Sequence, residues 1–99
     1  MSHILRIVRL TFQADKTRDF EQIFKESQPL IEAFEGCMGV ELKRDFSKPN
    51  VYYTVSRWQC HEDLDKYRAS QLFKTTWTKT KVLFSEKATA YSLIKEWES

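Results

Sequence analysis

Ninety-nine residues, 41% hydrophobic and 30% charged, fit one small globular domain spanning 1–99. The formal charge is only +2, with acids and bases interleaved, too weak by itself to argue for nucleic acid, and no nucleic-acid partner is expected; no apolar run is long enough to cross a membrane. Two cysteines and an N-terminus, MSHILRIVRL, without an apolar leader or cleavage site imply a reducing, cytoplasmic setting.

Residues 3–12, HILRIVRLTF, read as a strand with apolar side chains on both faces, so both faces need some cover. Residues 16–34 read as a helix, because Phe20, Ile23, Phe24, Ser27, Ile31 and Phe34 recur at helical spacing. Asp15 or Thr17 is expected to cap its start, Pro29 to kink or restart it near Ser27–Gln28, and Gly36 to end it. Residues 38–46 alternate as a second strand. SKPN at 47–50 is a turn, and 51–59, dense in β-branched and aromatic residues, is the partner strand. A second helical region is expected from Cys60 or His61 to about Phe84, broken near Ala69–Ser70. Residues 88–95 read as a last strand that KEWES extends.

This order predicts an α+β, ferredoxin-like βαββαβ domain, a four-stranded antiparallel sheet with both helical regions on one face. Leu5, Ile7 and their neighbours would then lie on an uncovered apolar face, which predicts a homodimer through the sheet faces.

Three pieces, ILRIVRLTF, FEGCMGVEL and YYTVSRWQCHEDLDKYRASQLFK, together with a final strand, carry a resemblance over nearly the whole chain. The sequence resembles the antibiotic-biosynthesis-monooxygenase (ABM) superfamily of small dimeric α/β-barrel proteins. The third piece is the most specific, with a strand-ending Trp58, a polar step into a helix, then Leu64, Tyr67 and a Ser70–Phe73 segment. It departs from the family's Trp-Glu-Ser by holding Trp58, Gln59 and Cys60, so the N-cap is weaker. The haem-degrading branch of that superfamily uses an Asn, a Trp and an iron-binding His where this chain has Val8, Tyr67 and Trp77. Haem degradation is therefore disfavoured, and no cofactor and no metal are implied. The resemblance instead implies a cofactor-independent monooxygenase acting on a small aromatic or quinol-like metabolite. A non-catalytic dimer of the same fold, binding a small apolar ligand or serving a stress-related role, is the alternative. An RNA-binding module of the same element order ranks third, because NVYYTVSRW lacks the glycines of its aromatic motif.

The candidate substrate-binding residues are Trp58, Tyr67, Phe73, Thr76, Trp77 and Thr80. Leu72, Phe73, Thr76, Trp77, Thr80, Leu83 and Phe84 form one helical stripe, while Thr75 and Thr78 fall mostly outside it. Such a stripe ordinarily means core. Two inward hydroxyls fit a cavity wall unless they bond back to the helix. Trp58 reads equally as a strand-to-helix anchor. Tyr67 and His61 are the candidate catalytic residues, the first through a hydroxyl able to bond a substrate oxygen and the second as a base, though a lone surface histidine is the simpler reading of His61.

Arg6 shares a strand face with Val8. Pointing inward it would need a carboxylate or an anionic ligand; at the sheet's edge it would reach water, which is the simpler reading. With a four-residue hairpin loop at 47–50, Cys37 would face Cys60, although two free thiols are expected in a reducing compartment.

Overall fold

The protein's structure, a computed structural model, describes residues 3–98. Met1, Ser2 and Ser99, the last being the end of the expected KEWES extension, lie outside the described residues. Strand β1 (Ile4–Phe12) is followed by helix α1 (Thr17–Glu32), strands β2 (Cys37–Arg44) and β3 (Val51–Trp58), helices α2 (His61–Arg68) and α3 (Gln71–Lys81), and strand β4 (Phe84–Leu93). The four strands form one antiparallel sheet in the order β2-β3-β1-β4, which is the expected βαββαβ arrangement with its second helical region split in two. No described helix is long and apolar enough to cross a membrane.

Alternation along the strands sorts residues onto two faces. Val8, Leu10 and Phe12 of β1 and Tyr52 of β3 face the helices. Leu10, Phe12 and Tyr52 join Phe20 of α1 in one buried cluster. A second cluster contains Ile31 of α1, Val40 of β2, Trp58 of β3 and Leu64 of α2. Phe24 packs against both clusters. The Tyr52 hydroxyl bonds the Glu21 carboxylate and so fastens β3 to α1. The opposite sheet face carries Leu5, Ile7, Val55, Tyr91 and Leu93, adjacent through the register: Leu5 pairs with Leu93, and Ile7 with both Val55 and Tyr91.

Helix ends differ from expectation in instructive ways. Lys16, not Asp15 or Thr17, is the N-cap of α1, and no side chain caps it. The helix runs through Pro29 rather than restarting before it. The Ser27 hydroxyl donates to the Ile23 carbonyl, and Gln28 Nε2 donates to the Val40 carbonyl on β2. Cys60 caps α2 only through its extended backbone. Its thiol donates to Asp63 rather than accepting from the helix, and Glu62 and Asp63 supply negative charge at the first turn. Ser70 does cap α3, accepting from the Phe73 amide at 3.1 Å while donating to the Tyr67 carbonyl.

Two expectations are corrected. The second helical region stops at Lys81, and β4 begins at Phe84 rather than at 88 and ends at Leu93 without continuing into KEWES. Gln13 decides this junction: its amide N–H donates to the Leu83 carbonyl and its side chain to those of Val82 and Phe84. Phe84 thus sits opposite Phe12, with ring centroids 5.4 Å apart, so its apolar character serves a strand pair and not a helical stripe.

The hairpin register is also shifted. Arg44 pairs with Tyr52, and Phe46 is fully exposed in the loop. Asp45 accepts from the Ser47 and Lys48 amides, a side-chain-closed turn that lengthens the loop. A bulge between Cys37 and Gly39 then sets Cys37 opposite Trp58, not Cys60, and both thiols are free.

Gly36, between α1 and β2, has φ +82°, and a Cβ there would lie 2.1 Å from the Asp63 carboxylate. Gly36→Ala is expected to lower unfolding stability by roughly 1–3 kcal/mol from the backbone alone. Urea denaturation checks this, and an unchanged midpoint would mean that the α1–β2 turn tolerates a side chain.

Candidate functional site

Between the two buried clusters the helical layer does not close onto the sheet, leaving a cavity of about 310 Å³. Its floor is set by short side chains: Thr54 and Ser56 on β3, and Ala88 and Ala90 on β4. Its walls come from α1 (Phe20, Ile23, Phe24, Ser27 and Ile31) and from α2–α3 (Leu64, Tyr67, Phe73, Thr76, Trp77 and Thr80). This volume is at the lower end of the range for small-molecule sites, and the lining is mainly apolar with a few polar groups.

Of the sequence candidates, Tyr67, Phe73, Thr76, Trp77 and Thr80 line this cavity together. Trp58 does not. It is completely buried behind Tyr67, the two rings stacked at 5.0 Å and 25°, and its indole N–H donates to Ser56 Oγ at 2.9 Å. Its position is that of the anchor. His61 is exposed at the start of α2, beside Glu62 at 3.1 Å and Asp65 at 3.5 Å, and does not reach the cavity.

The aromatic wall is continuous. Tyr67 meets Phe34 and Phe73 edge-on at 5.5 and 5.3 Å, Phe73 stacks on Trp77 at 5.8 Å, and Trp77 meets Phe84 edge-on at 5.5 Å. The ring order rests on the α2–α3 elbow, where the Ser70 hydroxyl joins the Tyr67 carbonyl to the Phe73 amide.

The four threonines of α3 divide as the helical spacing requires. Thr75 and Thr78 are exposed; Thr78 donates back to the Lys74 carbonyl, and Thr75 accepts from Gln71. Thr80 is buried, but its proton is taken by the Thr76 carbonyl at 2.7 Å, one turn earlier. The Thr76 hydroxyl and the Tyr67 hydroxyl have no hydrogen-bond partner among the described residues. These are the two polar groups of the aromatic wall that a ligand oxygen can meet.

Burial holds the Tyr67 phenol well above its ordinary value, up to about 12, with the nearby Cys37 thiol adding to the effect. The Tyr67 hydroxyl is a hydrogen-bond donor at neutral pH, as an ordinary phenol is, and burial extends that state to higher pH. Burial also pushes the Cys37 thiol up, which makes it a poor nucleophile.

Sequence reasoning missed part of the lining. Arg6 reaches the edge strand through Ser92, as the edge reading has it, and also lines the cavity together with Arg68, a residue not singled out at all. The alternating alanines of ATAY on β4 and the small Thr54 and Ser56 on β3 were also overlooked. Their signal is size: four short side chains on the helix-facing side of adjacent sheet positions leave a gap.

The sequence profile of the family described as antibiotic biosynthesis monooxygenase matches residues 3–79. The chain belongs to the ABM family. No curated protein sequence matches the chain. Solved structures share the ABM fold throughout. A conserved Methanosarcina mazei protein superposes with a TM-score of 0.92 at 17% identity, covering 97% of this chain and 95% of its own. A Mycobacterium tuberculosis protein gives 0.89 at 16% identity, covering 99% of each chain. A Bordetella bronchiseptica protein assigned as an antibiotic biosynthesis monooxygenase gives 0.87 at 24% identity, covering 98% of this chain and all of its own. At these identities the likeness is one of fold.

An ordinary tyrosine loses its proton near pH 10 and Tyr67 near 12, so the unfolded chain releases this proton first. The contribution of Tyr67 to stability is thus complete below about pH 10 and is lost as pH rises towards 12. Tyr67→Phe is expected to flatten the decline of the urea midpoint in this window. An identical decline in both proteins would mean that the phenol is not desolvated.

Proposed function

We propose that this ABM protein is a cofactor-independent monooxygenase that oxidises a small aromatic or quinol-like metabolite in the cavity between the helices and the sheet. One observation carries the reading: an aromatic-walled cavity of about 310 Å³ lined by the Tyr67 and Thr76 side chains, whose hydroxyls have no hydrogen-bond partner among the described residues. The family membership and the fold shared with the Bordetella bronchiseptica protein support it.

The chemistry asks little of the protein. An electron-rich quinol passes an electron to O2, and its hydroxyl proton moves to the reduced oxygen. Recombination at a ring carbon gives a hydroperoxide, and loss of water leaves a hydroxyquinone. One O2 is consumed per quinol; one oxygen atom enters the ring, the other leaves as water, and the substrate supplies all the electrons. Phe73 and Trp77 offer faces for the ring, and the Tyr67 and Thr76 hydroxyls steady the developing oxyanion. Trp58 keeps the Tyr67 ring in place from behind.

Oxygen consumption with a panel of quinols tests this. The expected result is one O2 per quinol at a rate above autoxidation, with kcat in Tyr67→Phe lowered roughly tenfold to hundredfold. Full turnover in a Tyr67→Phe, Trp77→Ala protein would remove both residues from the mechanism. The second reading, a non-catalytic binder of small apolar ligands, is favoured by the distance of His61 from the cavity, which leaves no histidine in the lining. Its outcome in the same panel is a raised melting temperature without oxygen consumption.

The same proposal includes a homodimer formed through the open sheet face. Leu5, Ile7 and Val55 are half-buried there, while Tyr91 and Leu93 remain 54% and 44% exposed, an apolar patch that a second sheet would cover. The expected mass by sedimentation is that of two chains, falling to one in Ile7→Asp. A monomeric wild type at micromolar concentration would refute the dimer.

A further inference from the structure

Arg6 and Arg68 come from different elements to one cavity. Arg6 lies on β1, one inward position before Val8, and Arg68 ends α2 directly after Tyr67. Both line the same apolar space. The ion pairs among the described residues join Lys43 to Glu41, His61 to Glu62 and Asp65, Lys66 to Glu35, and Lys95 to Glu98. None involves Arg6 or Arg68, so no described carboxylate lies within 4.0 Å of either guanidinium. Arg6 is held by a neutral group instead, its Nη1 donating to Ser92 Oγ at 2.8 Å. That bond uses one of five guanidinium N–H groups.

We propose that the cavity selects ligands bearing a carboxylate, which sits between Arg6 and Arg68 while the aromatic ring attached to it lies against Phe73 and Trp77. The inference rests on the reading of this cavity as the ligand site. Two like charges beside an apolar space repel one another, and an anion between them removes that repulsion. Burial lowers the proton affinity of Arg6, and the positive field of Arg68 lowers it further, so the two groups act on each other in the unliganded protein. A planar carboxylate matches the guanidinium fork. The continuous aromatic wall favours a flat ring over an aliphatic acid, and the cavity volume limits it to a small ring system. The charged groups thus decide which aromatic enters, whereas Tyr67 and Thr76 bond the oxygen that reacts.

The test compares two probes with matched rings, 1-hydroxy-2-naphthoate and 1-naphthol, by titration calorimetry and quenching of tryptophan fluorescence. Wild type is expected to bind the carboxylate at least tenfold more tightly than the neutral naphthol, with the difference narrowing as NaCl is raised. Arg68 is exposed at a helix end, so Arg68→Gln should fold normally by circular dichroism. It is expected to lose about tenfold in naphthoate affinity and to keep its naphthol affinity. Equal affinity of wild type for both probes, or an intact preference in an Arg6→Gln, Arg68→Gln protein, overturns the proposal and leaves the cavity reading standing. Failure of both probes to bind overturns the two together.

Discussion

The position of Trp58 is the constraint on which the rest of the structure depends. It is fully buried at the end of β3, opposite Ile4 on one side and Cys37 on the other, and its indole N–H is satisfied by Ser56 two residues earlier. A buried indole without that partner would carry an unpaired donor. With it, the ring becomes a rigid wall against which Phe34 and Tyr67 pack. The strand end, the turn into α2 and the orientation of Tyr67 are thereby set by one side chain. Gly36 completes the arrangement: its carbonyl accepts from the Gln59 amide just beyond Trp58, and its missing Cβ admits Asp63 of α2.

From this fixed point the domain builds two cores instead of one. The cluster around Phe12 and Phe20 and the cluster around Ile31 and Trp58 are bridged by Phe24, and between them lies the cavity. An interior of this kind departs from close packing by composition, because the sheet positions beneath it hold threonine, serine and alanine. In this chain an aromatic wall lies over a floor of small residues, and polar groups project into the gap between them. These include the Tyr67 phenol, the hydroxyls of Thr54 and Thr76, and the guanidinium groups of Arg6 and Arg68.

Much of the fold was legible in the sequence, because period-two and period-3.6 patterns respond to burial on one face. That is why both β-α halves, the inward placement of Thr76 and Thr80 and the break at Ser70 could be read directly. The α3–β4 junction was not, since Leu83 and Phe84 continue a helical stripe by spacing; long-range bonds from Gln13 override it. The hairpin register failed for a similar reason. A carboxylate-closed turn at Asp45 and a bulge at Gly39 shift pairing without altering the apolar pattern. At the site, the aromatic side chains announced themselves, while the alanines of β4 did not, because an absence of volume has no hydropathy signal. Arg6 is half-buried: it lines the cavity while its guanidinium reaches exposed Ser92 on the edge strand β4.

The floor of small side chains has a consequence beyond ligand binding. Replacing Ala88 or Thr54 by a larger apolar residue would add contacts where the unliganded domain has none, so resistance to heat and room for a guest are set at the same few positions. A chain selected for durability alone would fill that space. Keeping it open forgoes packing that the rest of the domain must supply.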